Sequence, residues 1–127
     1  MILIMGYPNA GKTTYSQNYE SVIHLDDFGR GKFAKCTEAV LHSDGNVVVE
    51  GIYNTAKRRK SLLDAVSDKN CRKVCIWIQT PLEECLRREK MYRMRGDSIV
   101  LNNADMFEEP TYSEGWDEII TIKGGET

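Results

Sequence analysis

The sequence predicts an α/β protein built on a parallel sheet, and three observations carry that reading. Five short apolar runs alternate with stretches of helical spacing along the 127 residues, the order that parallel strands and crossover helices produce. Val47-Val48-Val49 has no polar alternation, as a strand covered on both faces requires. Met1-Ile2-Leu3-Ile4-Met5, also uninterrupted, leads into a glycine-punctuated loop and then a breaker-free stretch.

Each element follows from local chemistry. The first strand covers residues 1–5, and a helix is expected over about 11–19. Residues 21–25 are a second apolar run, closed by the turn chemistry of Asp26-Asp27-Phe28-Gly29-Arg30-Gly31. Over 32–43, Phe33, Cys36, Val40 and Leu41 recur at helical spacing. Residues 46–50 form the third strand. Thr55 is the candidate N-cap of a helix through residue 67, with Leu62, Leu63 and Val66 on one face. Residues 73–78 are the fourth strand. Thr80-Pro81-Leu82-Glu83 reads as an N-cap, a first-position proline and a capping-box glutamate. Arg95-Gly96-Asp97 interrupts, a short helix spans about 99–107, and Pro110 ends it. A loop over 111–115 precedes the last strand, 118–122, and Gly124-Gly125 leads into a frayed tail.

Bulk properties narrow the function. The length suits one domain, residues 1–127. No apolar run approaches membrane-spanning length and no leader pattern opens the chain, so a cytoplasmic protein is expected. Cys36, Cys71, Cys75 and Cys85 form no C-x-x-C pair, and His24 and His42 lie far from any pair of cysteines. Reduced thiols are therefore expected in place of a zinc site. A net charge of −2 excludes a chain-wide basic field. Positive charge is concentrated in Lys57-Arg58-Arg59-Lys60 and in Arg87, Arg88, Lys90, Arg93 and Arg95.

The most specific motif is Gly6-Tyr7-Pro8-Asn9-Ala10-Gly11-Lys12-Thr13-Thr14, which fits G-x-x-x-x-G-K-[ST], the phosphate-binding P-loop. Gly6 and Gly11 permit the loop's turns and its close approach to phosphate. Backbone N–H groups of Asn9, Ala10, Gly11, Lys12, Thr13 and Thr14 then face the anion at a helix start. Lys12 reaches the β/γ-phosphates, and Thr13 is the expected Mg2+ ligand. ATP and Mg2+ are the cofactors this motif implies.

Asp26 follows the second strand, where an open α/β sheet presents its crevice. A carboxylate there can take a hydroxyl proton as general base, against the alternative that Asp26 and Asp27 cap a turn. Glu50 ends the triple-valine strand, the position of the acidic residue that holds a Mg2+-bound water in P-loop proteins. Glu83/Arg87 and Glu84/Arg88 are spaced i,i+4 for surface pairing. Cations such as Arg58 in the first turn of the 55–67 helix oppose the helix dipole, which favours a role in binding an acceptor phosphate. Arg30 is a second acceptor-side candidate. Phe28, Tyr53, Tyr112 and Trp116 could stack a base, with Trp116 expected in the core.

The P-loop, the Asp26-Asp27 pair, the Val47-Val48-Val49-Glu50-Gly51 strand and the arginine-rich helix together resemble the adenylate-kinase-like P-loop kinases. The resemblance implies a three-layer α/β/α fold with a five-stranded sheet of order 2-3-1-4-5. Asn54-Thr55-Ala56-Lys57-Arg58-Arg59 and the segment from Phe107 to Ile119, with its Phe-Glu-Glu-Pro-Thr-Tyr-Ser-Glu-Gly-Trp run, resemble the polynucleotide 5′-hydroxyl kinases most. That likeness implies Asp26 as base, and Arg88 and Arg93 as phosphate-contacting residues of a lid. The lid is very short, so hydrolysis of ATP without acceptor should be detectable.

The leading expectation is a kinase acting on a nucleic-acid or nucleotide-like hydroxyl. A small-molecule kinase for a nucleoside, nucleotide or other metabolite is the alternative, and a nucleotide-binding switch without transfer is the second. No Asn-Lys-x-Asp motif supports guanine specificity and no Asp-x-Asp phosphatase signature is present.

Overall fold

The computed structural model describes residues 1–124; the expected tail from Gly125 onward lies outside the described residues. Strands β1 (Ile2–Met5), β2 (Ile23–His24), β3 (Val48–Glu50), β4 (Val74–Ile78) and β5 (Glu118–Ile122) form one sheet in the order β2-β3-β1-β4-β5. Every neighbouring pair is parallel. The helices are α1 (Lys12–Ser16), α2 (Lys32–Leu41), α3 (Ala56–Ala65), α4 (Leu82–Arg88) and α5 (Ser98–Met106).

The period-two alternation of β1 explains the layers. Leu3 and Met5 join Val49 and Cys75 against Cys36 and Val40 of α2 and Leu62 and Leu63 of α3. Ile4 joins Ile76 and Ile78 on the other face, against Cys85 of α4 and Val100 of α5. Leu3, Ile4, Met5 and Val49 are fully buried, each contributing about 1.5–3 kcal/mol of transfer free energy. The expected α/β class and strand order are thus both present. Among the described residues no helix is long and apolar enough to cross a membrane.

Several local expectations are corrected. The first helix ends at Ser16, not near residue 19, because Gln17 N and Tyr19 N bond three residues back and Asn18 Nδ2 donates to the Tyr15 carbonyl. The Asp26-Asp27 turn is a 3-10 turn over Leu25–Phe28. Thr55 caps α3 as expected, accepting from Arg58 N. Thr80 does not cap α4: Pro81 occupies the cap position, and the Thr80 hydroxyl donates instead to the Ala10 carbonyl at 2.6 Å. Beyond α4 the chain widens into a π-turn, Glu89–Arg93. The 111–115 loop contains a 3-10 turn, Tyr112–Glu114, closed by a Thr111/Glu114 capping box. Glu84, not Glu83, takes both Arg87 and Arg88.

Candidate active site

Because all five strands run the same way, their carboxyl ends open on one edge, where such sheets bind ligands. The P-loop leaves β1, Asp26 follows β2, and Glu50 ends β3. A cleft of about 560 Å³ at this edge is lined by Asn9, Gly11, Lys12, Thr13, Thr14, Asp26, Lys32, Glu50, Arg88, Tyr92, Arg93 and Arg95, among others.

The loop is fastened from behind. A Cβ on Gly6 would stand 2.8 Å from the Ile78 carbonyl, so only glycine lets the loop lie against β4. Ala10 is buried and its carbonyl takes the Thr80 hydroxyl. Neither residue lines the cleft; both support the backbone that does. The first intrahelical bond runs from Tyr15 N to Gly11 O, so the amides of Lys12, Thr13 and Thr14 precede it, turned toward the helix mouth. Lys12 Nζ donates to Tyr7 O at 2.7 Å. Burial pulls its pKa down to about 8, against the opposing pull of Glu50.

Glu50 is placed by sheet register. His24 is its in-register neighbour on β2 and Ile4 its neighbour on β1. Parallel partners share a face, so His24 Nδ1 meets Glu50 Oε1 at 2.8 Å. Thr13 Oγ1 lies 3.5 Å from that same oxygen. Among the described residues no group of three or more His, Cys, Asp or Glu side chains could hold an ion by itself.

Asp26 is placed by a close approach. Gly51, next after Glu50, would carry a Cβ 2.7 Å from Leu25 Cβ. Its absence lets Leu25 pack under the end of β3 and sets Asp26 at the cleft. Lys32 Nζ hydrogen-bonds Asp26 Oδ1 at 2.7 Å and holds the carboxyl below its usual range, outweighing partial burial; Lys12 and Arg93 add to this.

The arginines divide. Arg88 and Arg93 line the cleft, as does Arg95. Arg88 Nη1 donates to Asn9 O at 2.8 Å. Arg58 does not reach the cleft. It lies 4.1 Å from the Phe33 ring centroid, donates to Asn54 Oδ1, and lines separate grooves. Arg30 is exposed and outside the cleft lining. Arg59 is wholly buried in an ion pair with Glu114 at 2.8 Å and also donates to the carbonyls of Tyr53 and Glu109. Arg58 and Arg59 are thus engaged with neighbouring groups of the chain and stand outside the cleft lining.

The proposed stacking aromatics are also elsewhere. Tyr53 and Trp116 are core residues, and Phe28 packs against that core. Tyr112 is exposed, away from the cleft lining. The cleft aromatic is Tyr92, which no periodic pattern singles out. Lys32, His24 and Glu89 were missed for the same reason. Cys36, Cys75 and Cys85 are buried free thiols; burial pushes Cys85 up to about 11 and Cys75 up to about 12, which keeps them unreactive.

These features define the class: a three-layer P-loop fold with an acidic residue opposite the phosphate-binding loop. No family model matches the chain. Among solved structures it is similar to Kti12 of Chaetomium thermophilum in complex with ADP-AlF3, at 14% identity over 96% of this chain and 88% of that one, with a TM-score of 0.71. It is also similar to the APS kinase CysC of Mycobacterium tuberculosis in complex with AMPPNP and APS, at 15% identity over 94% and 86%, with a TM-score of 0.62. At such identities the likeness is one of fold: both neighbours have the P-loop kinase-like architecture.

Proposed function

We propose that the chain is an ATP-dependent kinase that transfers the γ-phosphate to a hydroxyl of a nucleic-acid acceptor, in the manner of a polynucleotide 5′-hydroxyl kinase. The observation that carries this reading is the meeting of Lys12 and Thr13 with the Asp26 carboxylate in one cleft. The neighbours bound to ADP-AlF3 and to AMPPNP support a nucleoside triphosphate as donor. The reading treats residues 1–127 as one kinase domain.

In this reading the backbone amides of Asn9 and of Gly11 to Thr14, with the Lys12 ammonium, hold the phosphates, while the Ala10 amide is given to the Tyr7 carbonyl. Asp26 accepts the acceptor's hydroxyl proton as its oxygen bonds to the γ-phosphorus and the bond to ADP breaks. Arg88 and Arg93 offset the charge on the transferring oxygens. Thr13 Oγ1 and Glu50 Oε1 are hard oxygens close together beside the loop, a donor pair that suits Mg2+ completed by phosphate and water. Bound there, Mg2+ would help neutralise the charge of the phosphates.

One observation favours a small acceptor as the second reading. Arg58 and Lys57 line a groove apart from the cleft, so the α3 cations do not extend it into a basic track for a polymer. The test uses γ-labelled ATP and Mg2+ with 5′-hydroxyl DNA, 5′-hydroxyl RNA, nucleosides and nucleoside monophosphates. Label on oligonucleotides supports the polynucleotide reading, and label on small molecules alone supports the second. Binding of ATP with no transfer to any of them sinks both in favour of a non-transferring switch.

A further inference from the structure

We propose that Glu89 is a positioning residue that clasps the arginine-bearing turn to the P-loop, so that a γ-phosphate meets cations already set in place. This deepens the nucleotide-binding reading and rests on it.

Glu89 is a carboxylate with no solvent exposure at all. A buried charge is tolerated only when fully partnered, and its partners come from two distant parts of the chain. Arg95 supplies Nη2 to Oε1 at 2.6 Å, Nε to both oxygens at 3.2 Å, and its backbone N to Oε2 at 2.8 Å. Asn9, in the middle of the P-loop, supplies Nδ2 to Oε1 at 3.0 Å. The same amide nitrogen reaches Cys85 O at 3.2 Å, on α4.

Two left-handed residues mark the ends of this device. Asn9 has φ 67°, a value its residue type tolerates, and Met94 has φ 55°, which its longer side chain holds only when the surroundings impose it. Asn9 is held on both sides, its carbonyl by Arg88 and its side chain by Glu89. Met94 N closes the π-turn onto Glu89 O at 2.6 Å. Residues 90–94 are thus looped out between two fixed points, Glu89 and Arg95.

The loop so held carries Tyr92 and Arg93 into the cleft. Arg93 makes no ion pair or side-chain hydrogen bond among the described residues, whereas the guanidinium of Arg95 is taken up by Glu89. The clasp therefore assigns two different tasks to two adjacent arginines. Arg95 locks the turn, and Arg93 is left to meet the ligand. A longer lid would close on the phosphates from a distance; this turn is bonded to the phosphate loop itself.

The test compares wild type with Glu89→Gln and Arg95→Gln, reading hydrogen exchange of residues 89–95 and the affinities for ADP and for AMPPNP. Arg95 is partly exposed, so its variant keeps the test usable if Glu89→Gln does not fold. Wild type should prefer AMPPNP. Both variants should speed exchange in 89–95 and lose about tenfold or more of that preference, with ADP affinity kept within about threefold, since Arg88 still holds the Asn9 carbonyl while the loosened turn misplaces the γ-phosphate contacts. A wild type without the preference, variants that keep it, or equal loss of both affinities would overturn the proposal. The phosphotransfer reading is scored separately on wild type. Failure to label any acceptor, with the exchange and affinity changes as stated, would remove the kinase assignment and leave the clasp standing.

Discussion

The ammonium of Lys32 sits 2.7 Å from Oδ1 of Asp26, and both side chains line the cleft that faces the P-loop. The pair joins the 3-10 turn after β2 to the first residue of α2. It places a cation beside one of the two carboxylates, Asp26 and Glu50, that line the cleft.

Asp26→Asn should lower the transfer rate by about 10²–10⁴-fold while nucleotide affinity is retained, as loss of a general base does. Steady-state kinetics with equilibrium nucleotide binding checks both halves. Full activity in this variant would refute the assignment.

Removal of Lys32 has an opposite electrostatic sign. Its hydrogen bond is the leading cause of the lowered Asp26 pKa. The rate should fall as pH drops through that pKa, because the protonated carboxyl cannot accept a proton. In Lys32→Met the pKa rises, so the acid limb of the pH–rate profile should move to higher pH. A limb that stays in place would separate Asp26 from the proton transfer.

Nucleotide affinity should decline above about pH 8, where burial has brought Lys12. Below that pH the free protein already carries the charged ammonium that phosphate needs. Above it, binding must take up a proton, so affinity should fall by up to about tenfold per pH unit until the ligand-bound pKa is passed. Calorimetry in buffers of different ionisation enthalpy measures the uptake directly. Lys12→Met should bind more weakly and lose this pH dependence.

Gly51→Ala should destabilise the protein by about 1–3 kcal/mol, the usual range for overpacking. Its new methyl would stand 2.7 Å from Leu25 Cβ and 2.9 Å from Leu25 Cδ2. Since Leu25 precedes Asp26, transfer activity should fall as well. Urea denaturation gives the first number, and activity under folding conditions the second.

Arg59→Ala should cost about 3–5 kcal/mol, because it strands Glu114 without its buried partner. Burial pushes the Glu114 carboxyl up, but Arg59, Trp116 and the Thr111 amide together hold it below its usual range. Its contribution is therefore complete above the ordinary glutamate pKa and is lost as pH falls through the lowered folded value. Acid unfolding of wild type should be steeper across that window than that of Arg59→Ala.

Local pattern and motif chemistry carried much of this protein. The apolar runs marked all five strands, most clearly the central β1, β3 and β4, where cover on two faces leaves a continuous signal, and the spacing of Gly6, Gly11, Lys12 and Thr13 encodes phosphate chemistry in a few adjacent residues. Asp26 and Glu50 were legible because they sit at strand ends, where a parallel sheet opens. The strand order came from family likeness; spacing alone does not select it.

What tertiary structure alone decided is the fate of the charged residues. Arg58 and Arg59 are neighbours in sequence, yet one stacks on Phe33 and the other is buried against Glu114. Glu89 lies in a run that reads as solvated surface and is instead sealed between Asn9 and Arg95. Thr80 matched a helix cap but ties down Ala10. The physical reason is common to all three. Periodicity records which face of an element is apolar, whereas the partner of a polar group is fixed by elements that meet only after folding.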